Sequence, residues 1–115
     1  MRRPVVTIHY RQKDSKAYQA VIMTEDTFEI GSEKENDLVL ESKMVEKQHA
    51  IIYENITKTR IYYQLVNYGK VNPIQYFNQQ TQKYEYLRYK EAVELDGRDA
   101  FYIGDYKIIT SVKRS

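Results

Sequence analysis

The 115-residue chain has no cysteine and no tryptophan, and only two prolines and four glycines. Without cysteine there can be no disulfide, no thiolate nucleophile and no cysteine-held zinc. His9 and His49 are the only imidazoles, so a Cys/His metal site cannot be assembled, and neither a metal nor a cofactor is expected. Charge of one sign is also scarce. Eighteen Lys and Arg face sixteen Asp and Glu, a net +2, far from the basic balance of a dedicated nucleic-acid binder. No apolar run approaches the length needed to cross a bilayer, and no apolar stretch follows Met1-Arg2-Arg3 as a secretory leader would require. The expectation is an intracellular protein, cytoplasmic or nuclear, with no membrane partner.

What is present points to strands. Twelve tyrosines and many Ile and Val suit a pleated, half-buried surface better than a helix. Val6, Ile8 and Tyr10 alternate with polar residues, as do Tyr106, Ile108, Thr110 and Val112 against Lys107, Ser111 and Lys113, the pattern of a sheet with one wet face. Between these terminal strands the sequence predicts others near Tyr18 to Thr24, Thr27 to Ile30, Asp37 to Leu40, His49 to Glu54, Arg60 to Val66, Ile74 to Phe77, Tyr84 to Tyr89 and Ala100 to Ile103. Many short strands at near-regular spacing make an all-β sandwich or barrel, and the length fits one domain, residues 1–115. Alternation places Ile30, Leu38, Leu40, Ile52, Leu65 and Ile103 in the core. In Gln79 to Leu95 two readings compete. Tyr86, Tyr89 and Val93 recur at helical spacing, whereas Asn78-Gln79-Gln80-Thr81 is a turn, and the hairpin is preferred.

Catalytic constellations are nearly absent. Ser32, Ser42 and Asp96 can each be drawn beside His49, but none sits in a glycine-flanked nucleophile turn, and a lone His beside an apolar strand is more often structural. Gly31 to Asn36 is too poor in glycine and too acidic for a phosphate-cradling loop, and Asp96-Gly97-Arg98-Asp99 lacks the alternating oxygen ligands of a calcium loop. The sequence therefore argues against an enzyme. A tyrosine-rich barrel stacking single-stranded nucleic acid on Tyr62, Tyr84, Tyr86 and Tyr89, near Arg88 and Lys90, is a rival reading. It is disfavoured, since about half of a strand's aromatics point inward and packing is their default role.

Four motifs in order carry a family resemblance: Glu29 to Leu40 with its Ile30-Gly31-Ser32, Val45-Glu46-Lys47-Gln48-His49-Ala50, Asn67 to Asn72, and Leu95 to Gly104 with its Asp96-Gly97. Together they resemble the forkhead-associated (FHA) domain. That resemblance implies a β-sandwich of about eleven strands in two sheets, with loops at one end that bind phosphothreonine peptides. It implies a non-catalytic protein-protein interaction module serving assembly of a larger complex, with a protein partner that presents a phosphorylated or acidic peptide.

Carried over residue by residue, the recognition set departs from the family's pattern. Ser32 stands where the family has the Arg that supports the phosphate loop. Glu46 falls where the family has a phosphate-binding Ser, placing an anion at an anion's site. Lys47 matches a basic position, His49 the structural His that, with Gly31, supports the binding loops, and Asn72 the Asn that contacts peptide backbone. Asn67 and Lys70 lie in the adjoining turn and complete the expected binding set, while Pro73 removes the freedom of the usual glycine. Phosphothreonine recognition is accordingly expected to be weakened or lost, the alternative being a working reader with a non-standard basic site.

Overall fold

The computed structural model describes residues 3–114. In chain order the strands are β1 (Val5–Gln12), β2 (Gln19–Ile22), β3 (Thr27–Gly31), β4 (Leu38–Val39), β5 (Ala50–Ile56), β6 (Ile61–Asn67), β7 (Ile74–Asn78), β8 (Lys83–Leu87), β9 (Ala92–Leu95), β10 (Arg98–Ile103) and β11 (Tyr106–Lys113). One sheet has the order β2-β1-β11-β10-β7-β8 and the other β4-β3-β5-β6-β9. The described residues contain no helix.

The core lies between the sheets and follows the alternation. Ile30, Leu38, Leu40, Ile52, Leu65 and Ile103 are each at most 4% exposed, and each buried side chain of this size contributes about 1.5–3 kcal/mol relative to exposure. In β11 the residues Tyr106, Ile108, Thr110 and Val112 face inward, and Lys107 and Lys113 face out. The first and last strands join through the same periodicity, with β1 paired to β11 from Val5 opposite Lys113 to Gln12 opposite Tyr106.

The segment with two readings is a hairpin. β7 and β8 pair antiparallel from Ile74 opposite Leu87 to Asn78 opposite Lys83. The Asn78 side-chain oxygen accepts the Gln80 and Thr81 amides at 2.9 and 3.3 Å, an Asx-type turn that competes successfully with helix. Beyond it the expected strand to Tyr89 is too long: β8 stops at Leu87, and Lys90 takes φ +68°. Ala92–Leu95 then crosses to the other sheet and pairs with β6, a strand that its Ala and Glu content did not announce.

Candidate functional site

The loops after β3, before β5 and after β6 meet at one end of the sandwich. Gly31 closes β3 where no side chain fits, because a Cβ there would lie 2.1 Å from the Lys47 carbonyl oxygen. Next in sequence, the Ser32 amide donates to the Glu46 carbonyl at 3.0 Å. Asn36 ties the same two loops, its Nδ2 donating to the carbonyls of Lys47 and Glu33 at 2.8 and 2.9 Å. No spacing rule would have singled out Asn36, since its partners are backbone groups.

His49 is fully buried at the junction. Its Nδ1 accepts the Glu46 amide at 3.0 Å, so the ring proton sits on Nε2 and is donated to the Asn72 carbonyl at 2.7 Å. Burial pushes the imidazole's pKa down, and this outweighs the Asn72 bond and the Glu46 charge, which push it up. The neutral ring therefore clamps the loop before β5 to the loop after β6. Gly69 lies against that ring, where a Cβ would come within 2.5 Å of Nε2.

Asn67 requires a correction. The sequence reading places it among the peptide-contacting residues, but its side chain has no exposed surface. Its oxygen accepts the Gly69 amide at 2.8 Å, and its Nδ2 donates to the Leu87 carbonyl at 2.8 Å and more weakly to that of Gly69 at 3.4 Å. It lies at the end of β6 on the inward register of Tyr63 and Leu65, and there it shapes the turn that carries Lys70 to Asn72.

Glu46 has a partner the sequence did not disclose. Its carboxylate turns into the loop after β6 and accepts three successive backbone amides: Lys70 at 2.9 Å, Val71 at 3.0 Å and Asn72 at 2.9 Å. Successive N–H groups converging on one point make a nest, an arrangement suited to an anion. Here the anion is a side chain of the protein itself. Burial pushes the Glu46 carboxyl up, but the amides of Asn72, Lys70 and Val71, together with His49, more than offset it and hold the pKa below the ordinary glutamate range.

Around this plugged nest lies an open groove of about 560 Å³ whose lining includes Ser32, Glu46, Lys47, Tyr68, Lys70 and Tyr89. Lys47 is 85% exposed and only loosely paired with Glu33 at 3.7 Å, an arrangement worth little to stability. Lys70 and Lys90 both approach the Tyr89 ring, at 5.5 and 5.3 Å from its centre. Asn72 is half-buried, its side-chain amide donating to the Met44 carbonyl at 3.2 Å. Ser32, Glu46, Lys47, Lys70 and Asn72 are thus brought to one end, with Gly31 and His49 beneath them. The tyrosines of the nucleic-acid reading are dispersed: Tyr62 lies on β6 in one sheet, Tyr84 and Tyr86 on β8 in the other.

The FHA domain family model matches residues 28–104, from β3 through β10. This chain belongs to the FHA domain family. Among curated protein sequences none matches it, but solved structures, FHA domains among them, share its fold. A domain studied for phosphothreonine-dependent FHA interactions superposes with a TM-score of 0.71 at 16% identity, over 96% of this chain and 99% of that one. Full-length yeast Pml1p gives 0.79 at 14% identity, over 96% of this chain and 83% of its own. The MEK1 FHA domain, solved with a phosphothreonine peptide of HOP1, gives 0.70 at 11% identity, over 93% and 97%. Identities this low establish the shared architecture of this FHA domain and leave its recognition chemistry to its own residues.

Proposed function

We propose that this FHA domain is a non-catalytic protein-interaction module whose recognition end engages its partner without depending on a phosphothreonine phosphate, and that it serves assembly of a larger complex. The observation that carries this reading is the Glu46 carboxylate seated on the Lys70, Val71 and Asn72 amides. An incoming phosphate meets a negative charge in place of a hydroxyl donor, and the backbone donors beside it are already used. At about 4 Å and an effective dielectric of 20, a pair of like unit charges costs roughly 4 kcal/mol, and a phosphate carries nearly two charges. Ser32 compounds the loss, since a serine cannot supply the charge-assisted fork of an arginine.

Lys47 and Lys70, flanking the groove, support a second reading: a phosphate reader that draws its cations from these lysines. Titration calorimetry with matched phosphorylated and unphosphorylated Thr peptides separates the two. The plugged-site reading expects the pair to bind alike or not at all, and expects the double variant Ser32→Arg, Glu46→Ser to gain affinity for the phosphorylated peptide alone. Tight, phosphate-dependent binding by the unaltered protein that Lys47→Ala and Lys70→Ala abolish would establish the second reading in its place.

A further inference from the structure

The outer face of the six-stranded sheet is polarised in a way the recognition end does not explain. Register fixes which residues point away from the core: Thr7, His9 and Arg11 on β1, Lys107, Ile109, Ser111 and Lys113 on β11, Arg98, Ala100 and Tyr102 on β10, Gln75 and Phe77 on β7, and Tyr84 and Tyr86 on β8. Every charged residue in these outward positions is a cation. On the outer face of the five-stranded sheet the charged outward strand residues are Glu29 and Glu94, and Glu94 is paired with Arg60 at 2.6 Å. The outward strand positions of this face therefore carry cations alone, Arg11, Arg98, Lys107 and Lys113.

Two of these cations, Arg11 and Lys107, line with Lys13 a groove of about 420 Å³ that also includes Gln75, Tyr84 and Tyr102. Lys13 and Lys107 Nζ lie 5.6 and 5.9 Å from the centre of the Tyr102 ring, and the Arg11 guanidinium lies 5.2 Å from that of Tyr18. Arg11, and Lys107 beside it, hold the pKa of the Tyr18 phenol below the ordinary value against the opposing effect of burial, as a local positive potential requires. Among the described residues no ion pair engages Arg11, Lys13 or Lys107, although Asp14 and Asp105 lie in the adjoining turns.

We infer that this groove is a second interaction surface, distinct from the recognition end, and that it takes an extended acidic segment of a partner protein. Carboxylates match the paired ammonium and guanidinium groups, and the tyrosine hydroxyls are hydrogen-bond donors for the same groups. Single-stranded nucleic acid fits less well, because stacking needs an open ring face. Tyr102 has two ammonium groups beside it and Tyr84 at 6.0 Å, while Tyr84 is also engaged edge-on by Phe77 at 5.1 Å.

The test is fluorescence anisotropy on the full chain with three labelled probes: a peptide of alternating Asp and Glu, a Ser/Gly peptide of equal length, and oligothymidylate of equal charge. The acidic peptide is expected to bind with an affinity that falls as salt rises, the Ser/Gly peptide not to bind, and oligothymidylate to bind more weakly. Arg11→Glu with Lys107→Glu is expected to weaken the acidic peptide by at least roughly tenfold; if circular dichroism shows that this pair misfolds, Arg11→Gln with Lys107→Gln is read instead, with a smaller loss in the same direction. Lys58→Gln, which removes a cation from the turn between β5 and β6 in the other sheet, is expected to leave this binding nearly unchanged, which separates the groove from net charge. Failure of the acidic peptide to bind, indifference to the substitutions at 11 and 107, or tighter binding of oligothymidylate would overturn the inference.

Discussion

Two layers of the recognition end contrast sharply. Beneath, His49 and Asn67 are without exposed surface, and Gly31 and Gly69 are places where a methyl group would collide with backbone or ring. Each polar group there has an internal partner. Above, the Lys47 and Lys70 side chains reach into solvent, held only by a loose ion pair and an aromatic contact. The lower layer fixes where three loops meet. The upper layer decides what they meet around. Glu46 belongs to both, since its amide is held by His49 and its carboxylate fills the nest above. On the proposed reading, the scaffold stands intact while its ligand position is filled from within.

The contrast predicts a steep gradient in the cost of substitution. Asn67→Ala leaves the Gly69 amide and the Leu87 carbonyl buried without partners, and thermal or denaturant unfolding should show a loss of about 2–4 kcal/mol. Gly31→Ala should be similarly severe, because the group its Cβ meets is the Lys47 backbone and cannot swing aside. Glu46→Ala should cost less, about 1–2 kcal/mol, since the amides it releases face a groove that water enters. Lys47→Ala and Lys70→Ala should lie within about 0.5 kcal/mol of the parent protein. A Lys47→Ala loss as large as that of Asn67→Ala would break the distinction between the layers.

Acid should erode the lower layer first. His49 has a lowered pKa in the fold, so its contribution is complete above about pH 6.5, the unfolded value, and is lost as pH falls towards the folded one. Glu46 is also lowered, so its contribution is complete above about pH 4.3 and is lost as pH falls through its folded value. Stability should therefore decline in two stages on acidification. Glu46→Gln should reduce the lower stage, to which Glu85 also contributes, and leave the upper; denaturation midpoints measured across this range check both.

The lower layer was legible in the sequence because it rests on motif order. The order of the motifs brings His49, Gly31 and the neighbouring loops together, and the core residues from Ile30 to Ile103 follow from period-two alternation. Four things were not legible. Asn67 reads as a turn residue, and only the inward register at the end of β6 shows that it is buried. Ala92–Leu95 is short and carries residues common in helices, so nothing local marked it as a strand. The direction of the Glu46 side chain depended on three amides more than twenty residues away, which no spacing encodes. The charge polarity of the sheets was hidden for the same reason, since net charge says nothing of which face each strand shows to water.

The most direct measurement of the central claim is a pH titration of backbone amide chemical shifts by nuclear magnetic resonance. If the Glu46 carboxylate occupies the nest, the Lys70, Val71 and Asn72 amides should shift together as it is protonated, with a shared midpoint below that of an ordinary glutamate, about 4.3, and Glu46→Gln should abolish the transition. Amides at 70 to 72 that do not follow Glu46, or that follow it with an ordinary midpoint, would contradict the account and leave the nest open to a phosphate from outside.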